Sequence, residues 1–176
     1  MTLGYPARFL FVAAMNPCPC GYAGDPVRQC HCPPLTVQKY LARISGPLLD
    51  RMDIHLSVPP VAYDDLAARS GVESSAAVRA RVEAARDRQR ERFKRSRGVF
   101  ANAHMGPQEL ARHVPLDAAT EAVMKGAIER LGLSARAYHR VLKLARTLAD
   151  LAGTDQVTAA QVAEAIQYRV LDRGRD

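Results

Sequence analysis

The chain has 176 residues, 48% of them apolar, and a formal net charge of +7. This length suits one domain or slightly more, with enough apolar material to bury a core. No apolar run approaches the ~18 residues of a membrane span, and the apolar stretch near the N-terminus lacks the charge order and cleavage site of a signal peptide. We therefore expect a cytoplasmic protein without a membrane partner.

Two short segments in the first third of the chain have the patterns of strands. Residues 8–14 form a continuous apolar run without helical period, which is typical of a strand buried on both faces of a sheet. Residues 54–58 alternate apolar and polar side chains, which predicts a second strand. Between them, Thr36 is placed to cap a short helix that runs to about Arg43. We expect residues 1–62 to be mixed α/β.

The rest of the chain, residues 63–176, is predicted to be helical, and we place a domain boundary near residue 62. The longest predicted helix has Val78, Val82, Ala85, Gln89 and Phe93 at steps of three and four, which places them on one narrow face. The spacing predicts helices over about 75–97, 107–113 and 117–131. A further helix is predicted to begin after the capping residue Ser134, and one of its faces consists of Ala137, Val141, Leu144, Leu148 and Leu151. The last predicted helix runs from the capping box of Thr158 and Gln161 to about Arg169.

The two predicted strands are too few for an independent sheet. A pair of strands leaves its outer backbone groups unpaired and is marginal in water. We therefore expect this chain to be the C-terminal piece of a longer protein that supplies the neighbouring strands.

All four cysteines fall within 15 positions, as two C-x-C pairs made of Cys18, Cys20, Cys30 and Cys32. Four thiolates converging from one loop match the closed tetrahedral site of structural zinc, although the usual spacing within a pair is longer. His31 could replace one cysteine as a ligand. Unliganded or redox-sensitive thiols are a second interpretation, and disulfides, which are disfavoured in the cytoplasm, are a third.

A basic stripe lies within the long predicted helix. Residues 79–97 contain nine Lys or Arg against three Asp or Glu. Clustered cations of this kind indicate nucleic-acid binding. The alternative is an ordinary solvated helix face.

Three motifs give the chain a family resemblance. They are AAMNPCPCG at 13–21, RISGPLLDR at 43–51 and LSARAYHR at 133–140. Together they closely resemble the magnesium chelatase-like AAA+ ATPases of the YifB/ComM type, and the resemblance covers roughly residues 5–170. It implies the C-terminal end of an AAA+ core followed by a helical lid.

The resemblance also implies roles for five residues at matching positions. Arg51 matches the arginine finger that reaches a neighbouring subunit's ATP, Asn16 matches the sensor 1 residue that orients the attacking water, and Arg136 matches the sensor 2 arginine of the lid. Arg43 and Arg140 are further candidates for contact with the nucleotide. A fixed positive charge on a planar fork suits arginine to stabilise the transferred phosphoryl group.

Each of these three principal assignments has a structural alternative. Arg51 could pair with Asp50 or Asp53. Arg136 could be a solvated residue in the first turn of a helix, where a cation is unfavourable unless an anion is present. Asn16 could serve only the turn before the following proline.

The expected activity depends on parts that the chain lacks. None of its 11 glycines is followed by Lys, so the phosphate-loop pattern GxxxxGK[ST] is absent, as is an acidic pair after an apolar run. By resemblance, the full-length protein would be a hexameric ring that uses ATP and Mg²⁺ to act on DNA, in branch migration, recombination and natural transformation. We expect no ATP hydrolysis by this chain alone.

Two other functions remain open from the sequence. A free-standing zinc and nucleic-acid binding module would account for the missing phosphate loop but not for the unpaired strand. A magnesium chelatase subunit would need partner subunits, and nothing in the sequence favours a tetrapyrrole. An in-frame phosphate-loop pattern in the DNA upstream of Met1 would distinguish the ATPase from the module.

Overall fold

The computed structural model describes residues 3, 9–61, 63 and 73–169, and these residues are mainly helical. The helices are α1 (Pro34–Leu41), α2 (Gly46–Leu49), α3 (Ser75–Phe93), α4 (Pro107–His113), α5 (Ala118–Leu131), α6 (Ala135–Ala152) and α7 (Ala159–Gln167), with a 3₁₀ turn at Asn102–His104. The chain divides into two compact units, residues 1–45 and 46–176. The predicted organisation into a core portion over 1–62 and a lid over 63–176 stays a prediction.

The first unit consists of α1 and the loop that precedes it. Among its described residues Cys18 alone is buried. Helix α1 begins at Pro34 rather than after Thr36, because proline fits the first turn of a helix, where its missing N–H is not needed.

The predicted strand over 8–14 is wrong for its described part. Residues 9–14 have no regular structure, and Phe9, Leu10 and Val12 are 75%, 89% and 81% exposed. An apolar strand forms when neighbouring strands pair its backbone and cover its faces. No described residue pairs with this segment, so the apolar pattern has nothing to pack against.

The second predicted strand is reduced to one backbone pairing. His55 forms an isolated parallel bridge with Arg169, and its N–H donates to the Tyr168 carbonyl at 2.6 Å. His55 is buried, whereas Ile54 and Leu56 are 48% and 68% exposed. The alternation in this segment is therefore real, but its polar member faces inward, and the described residues contain no two-stranded sheet.

Helix α6 is the centre of the second unit. It contacts α3, α4, α7 and the 3₁₀ turn, while α5 packs against α7. Its buried face consists of Ala137, Val141, Leu142, Ala145, Arg146, Ala149 and Asp150. Ala137 and Val141 are thus buried as predicted, whereas Leu144 and Leu148 are only partly buried and Leu151 is 36% exposed.

The predicted helix ends of the lid are largely confirmed. Asp117 accepts from the N–H of Thr120 at 2.8 Å and starts α5, and Gly132 ends it with a φ of +61°. Ser134 accepts from the Ala137 N–H at 3.1 Å. The capping box at α7 also forms, since the Thr158 N–H donates to Gln161 Oε1 at 2.8 Å.

The long basic helix is present but packs along only half of its length. In α3, Ala85, Gln89 and Phe93 are buried as predicted, whereas Val78 and Val82 are 36% and 45% exposed. The helix ends at Phe93, four residues before the predicted end. No helix among the described residues combines the length and apolar character needed to cross a membrane.

A buried carboxylate joins α3 to α6. Asp150, whose side chain is fully buried, accepts hydrogen bonds from Arg92 at 2.7 Å, from Arg146 at 3.0 Å and from Asn102 at 2.8 Å. Burial opposes ionisation of this carboxyl, but the hydrogen bonds from Arg92 and Asn102 outweigh it and lower its pKa. The network fixes the loop between α3 and α4 against the C-terminal end of α6.

Candidate functional site

A positively charged cleft of about 360 Å³ lies in the second unit, beside the first turns of α6. Its walls carry four cationic side chains, one carboxylate and one imidazole, and it is lined by Arg51, Asp53, Ala103, Arg136, His139, Arg140 and Lys143. A cleft with this excess of cations is suited to bind an anion.

Helix α6 supplies three of the four cations. Arg136, Arg140 and Lys143 are spaced by four and three residues, which places them on one face of the helix. Arg136 is exposed and lies in the first turn, after the capping residue Ser134. The partial positive charge of a helix N-terminus disfavours a cation there and favours an anion. An anion in the cleft would remove this conflict.

Arg140 is the most enclosed of the three arginines in the cleft. It forms a salt bridge with Asp53, and the two side chains are 23% and 56% exposed. Its buried Nε has no hydrogen-bond partner among the described residues. The guanidinium is therefore held in place by one carboxylate while part of its donor capacity is unused.

Lys143 is the last of the three cationic residues that α6 contributes to the cleft. Its Nζ donates to the Ala103 carbonyl at 2.9 Å. Burial, followed by the nearby charge of Arg140, lowers the pKa of this lysine, and Asp53 only partly offsets the effect. The cleft thus holds more positive charge than its own carboxylate neutralises.

Arg51 enters the cleft from the segment that follows α2. Its Nη1 donates to the Pro47 carbonyl at 2.6 Å, and the side chain is exposed. It forms no salt bridge with a described carboxylate. The two nearby carboxylates have other partners, since Asp53 pairs with Arg140 and Asp50 forms a salt bridge with Arg169 at 4.0 Å. The predicted alternative of an ion pair with Asp50 or Asp53 is therefore absent from this structure.

The end of α7 holds the Arg51 segment in position. Nη1 of Arg169 donates to the Met52 carbonyl at 2.8 Å, and the His55 N–H bonds to the Tyr168 carbonyl. His55 also lies 3.3 Å from the Leu49 carbonyl through its Nε2. These contacts fix the backbone on both sides of Asp53, the residue that pairs with Arg140 on α6.

Asn16 and Arg43 belong to the first unit, and their predicted roles stay predictions. Both side chains are exposed. Asn16 lies beside Gly21, since a Cβ added to that glycine would come within 3.6 Å of Asn16 Nδ2. This packing agrees with a place for Asn16 in the turn after Met15.

The four cysteines are brought together as the sequence predicts. Their Sγ atoms all lie within 4.8 Å of one another, and none is in a disulfide. Cys18 is buried, whereas Cys20 is exposed and Cys30 and Cys32 are half-buried. Four thiols at this separation could hold a metal ion.

The sequence does not identify three polar residues of the cleft as site residues. It indicates Asp53 only as a possible partner of Arg51, and it indicates neither His139 nor Lys143. The spacing of Arg136, Arg140 and Lys143 was the available signal, since steps of four and three on a predicted helix place cations on one face.

Two protein families and several known proteins match the chain. Residues 72–169 match the family described as magnesium chelatase, subunit ChlI C-terminal, and residues 1–66 match magnesium chelatase, subunit ChlI. The uncharacterized protein YifB of Escherichia coli K12 is 42% identical over 172 residues, and the competence protein ComM of Haemophilus influenzae is 40% identical over 171. Both alignments cover 96% of this chain and 32% of the relative. The chain therefore belongs to the magnesium chelatase ChlI family, and it is similar to YifB and ComM over about a third of their length.

Proposed function

We propose that the cleft binds the terminal phosphates of an ATP molecule held by a neighbouring subunit of a ring ATPase. The observation that carries this proposal is that Arg51 and Arg136 line the same cleft. They lie far apart in the chain, and each is exposed without a described salt-bridge partner. Unpaired guanidinium groups facing one cleft are suited to phosphate oxygens.

Phosphoryl transfer accounts for the charge of the cleft. Negative charge spreads over the oxygens of the transferred group, and catalysis consists mainly of positioning and of electrostatic stabilisation by cations. Arg51 would stabilise that charge as the arginine finger, and Arg136 would bind the phosphates from the lid. Arg140 and Lys143 would add charge behind them, while Asp53 would hold Arg140 until the phosphates arrive.

The shared cleft would place Arg51 and Arg136 at the same boundary between subunits of the proposed ring. An arginine finger acts across the boundary between subunits. Because Arg136 lines the same cleft as Arg51, it would contact the same nucleotide and would also act across that boundary. The lid of each subunit would then sense its neighbour's ATP rather than its own.

The rest of the proposal extends the family membership to the full-length protein. A phosphate loop and an acidic motif outside this sequence would hold ATP and Mg²⁺, and six subunits would form the ring in the cytoplasm. Asn16 would orient the attacking water, and Arg43 would approach the nucleotide. The four cysteines take no part in this chemistry, and their thiolates suit a structural Zn²⁺.

We further propose DNA as the substrate on which the ring acts, with α3 as a contact surface. Arg79, Arg95 and Arg97 have no described salt bridge, whereas Arg92 turns inward to Asp150 and cannot reach DNA. Most of the remaining basic side chains form exposed ion pairs, which are weak enough for phosphates to replace, whereas Arg86 donates a hydrogen bond to Gln89. A role in natural transformation is consistent with the name of the competence protein ComM, and we propose branch migration and recombination together with it.

Mixed rings of the full-length ATPase test whether both arginines act across the boundary. One subunit carries a substitution of the phosphate-loop lysine and keeps its arginines. The other carries either Arg51→Ala or Arg136→Ala and keeps its phosphate loop. Each homogeneous ring should be inactive, and mixing should restore hydrolysis for both arginine variants.

The outcome for Arg136→Ala is decisive. If this arginine acted on its own subunit's ATP, mixing would rescue Arg51→Ala but not Arg136→Ala. That result would overturn the shared cleft. Rings of Arg130→Ala, a substitution at an exposed lid arginine outside the cleft, should stay active and serve as the control.

A further inference from the structure

The described residues of the first unit form a defined loop and α1 but no hydrophobic core. Its described apolar side chains are mostly exposed, including Phe11 at 57% and Val27 at 87%. Cys18 is fully buried, with 0% exposure, and no other described side chain of residues 9–45 is buried. Something other than apolar packing must hold this loop in one conformation.

The cysteine sulfurs have the spacing of a tetrahedral metal site. Sγ of Cys18 lies 3.3 Å from that of Cys20 and 3.7 Å from that of Cys30, and the Cys20–Cys30 separation is 3.6 Å. Four sulfurs each about 2.3 Å from a zinc ion lie about 3.8 Å from one another. The sulfur of Cys32 completes the group, in which every pair is within 4.8 Å.

The backbone around the sulfurs is arranged to receive negative charge. The Ala23 N–H donates to Cys18 Sγ at 3.3 Å, and the Cys32 N–H donates to Cys30 Sγ at 3.5 Å. The first contact requires a tight turn, which Gly21 allows by adopting a φ of +86°. N–H groups directed at sulfur stabilise thiolates and orient them toward a metal.

The connection between the two cysteine pairs is closed by its own side chains. The Asp25 carboxylate accepts from the N–H groups of Val27 and Arg28 at 2.8 Å and 2.9 Å. Nη1 of Arg28 donates to the Tyr22 hydroxyl at 2.9 Å. These contacts fold the connecting loop back on itself and bring the second pair of cysteines close to the first.

We propose that Cys18, Cys20, Cys30 and Cys32 bind one Zn²⁺ and that this ion replaces a hydrophobic core in the first unit. A site with four thiolates has no open position, so the ion is structural and supplies folding free energy. Disulfides account less well for the geometry, because they require cysteines in pairs, and Cys20 lies almost equally close to two partners. This site is independent of the charged cleft in the second unit.

The test starts from the complete chain purified with reductant throughout. Elemental analysis should find about one zinc per chain, and Co²⁺ exchanged into the site should show thiolate-to-cobalt charge-transfer absorption. A chelator should make the segment 16–33 sensitive to protease and its thiols open to alkylation. The second unit should keep its helices, which circular dichroism monitors.

Two variants define the ligands. Cys30→Ser should lose most of the zinc, whereas His31→Ala should keep it, because His31 is exposed and lies outside the group of four sulfurs. Reduced protein that contains no metal and gives no cobalt–thiolate absorption would overturn the proposal. Full zinc occupancy in Cys30→Ser, or loss of zinc in His31→Ala, would overturn the four-cysteine ligand set.

Discussion

Arg140 on α6 forms a salt bridge with Asp53, which lies 87 positions earlier in the chain. This contact joins α6, which carries Arg136, to the segment that carries Arg51. It therefore sets the distance across the cleft. The same carboxylate is the acidic group of the cleft and would repel any phosphate that enters.

Replacing Asp53 by Asn should strengthen anion binding. The substitution keeps the shape of the side chain, removes the negative charge and frees Arg140. We expect the affinity of the chain for tripolyphosphate to rise about fivefold at low salt, as expected for the loss of one partly exposed repulsive charge of ~1 kcal/mol. Isothermal titration calorimetry measures this, with Asp87→Asn on α3 as the control. An unchanged or lower affinity in folded Asp53→Asn would contradict this role.

Arg136→Ala should have opposite effects on stability and on binding. In the absence of an anion, Arg136 opposes the dipole of α6, so its removal should raise the free energy of unfolding by about 0.3–1 kcal/mol. The same change should weaken tripolyphosphate binding. Arg130→Ala, in the last turn of α5, should instead lower stability slightly. Denaturant unfolding and calorimetry on the same samples compare the two, and a destabilised Arg136→Ala would count against an unpaired cation.

Lys143 should make stability depend on pH in the alkaline range. Its pKa in the folded chain is below the ordinary value of 10.5, so the folded state releases this proton first. Stability should therefore rise with pH between the lowered pKa and 10.5. Lys143→Met should lack this rise. The measurement is the urea midpoint of the variant and of the parent chain at each pH. Lys125→Met, at a lysine that is 78% exposed, should retain it. Identical pH profiles for the two variants would exclude this coupling.

Helix ends could be predicted from the sequence because their causes are local. Ser134 meets the Ala137 N–H three residues away, and Gly132 alone sets the left-handed turn that ends α5. The predicted strands failed because strands depend on partners far along the chain. Residues 9–14 have the apolar pattern of a buried strand, but no described segment pairs with them.

The same distinction applies to the candidate sites. The cysteine cluster was predictable because its members are close in sequence. The cleft combines Arg51 and Asp53 with Ala103 and with residues after 135, and the pairing of Asp53 with Arg140 has no local signature. Family resemblance named Arg51 and Arg136 separately, and the fold of the second unit shows that they line one cleft.

The unpaired arginines near the end of α3 should carry a measurable share of DNA binding. Arg95→Ala combined with Arg97→Ala should reduce the slope of log K against log salt by about 1.8, if each contacts one phosphate of a duplex. Fluorescence anisotropy with duplexes of unrelated sequence measures the slope, which should not depend on sequence. The control is Arg112→Ala on α4. An unchanged slope in the double variant would exclude this surface.

Asp150→Ala should be the most destabilising of these substitutions. It leaves two guanidinium groups, Arg92 and Arg146, buried beside each other without their carboxylate, which costs about 3–5 kcal/mol. The Asp150 pKa is lowered in the folded chain, so its contribution is complete above the ordinary value of 3.8 and is lost as the pH falls below it. Asp155→Asn, whose side chain is 98% exposed, is the matched control and should change stability little. Urea unfolding at neutral and acidic pH gives both quantities. Exposed ion pairs contribute at most about 1 kcal/mol. If Asp150→Ala lowers the free energy of unfolding by less than this, the network does not join α3 to α6.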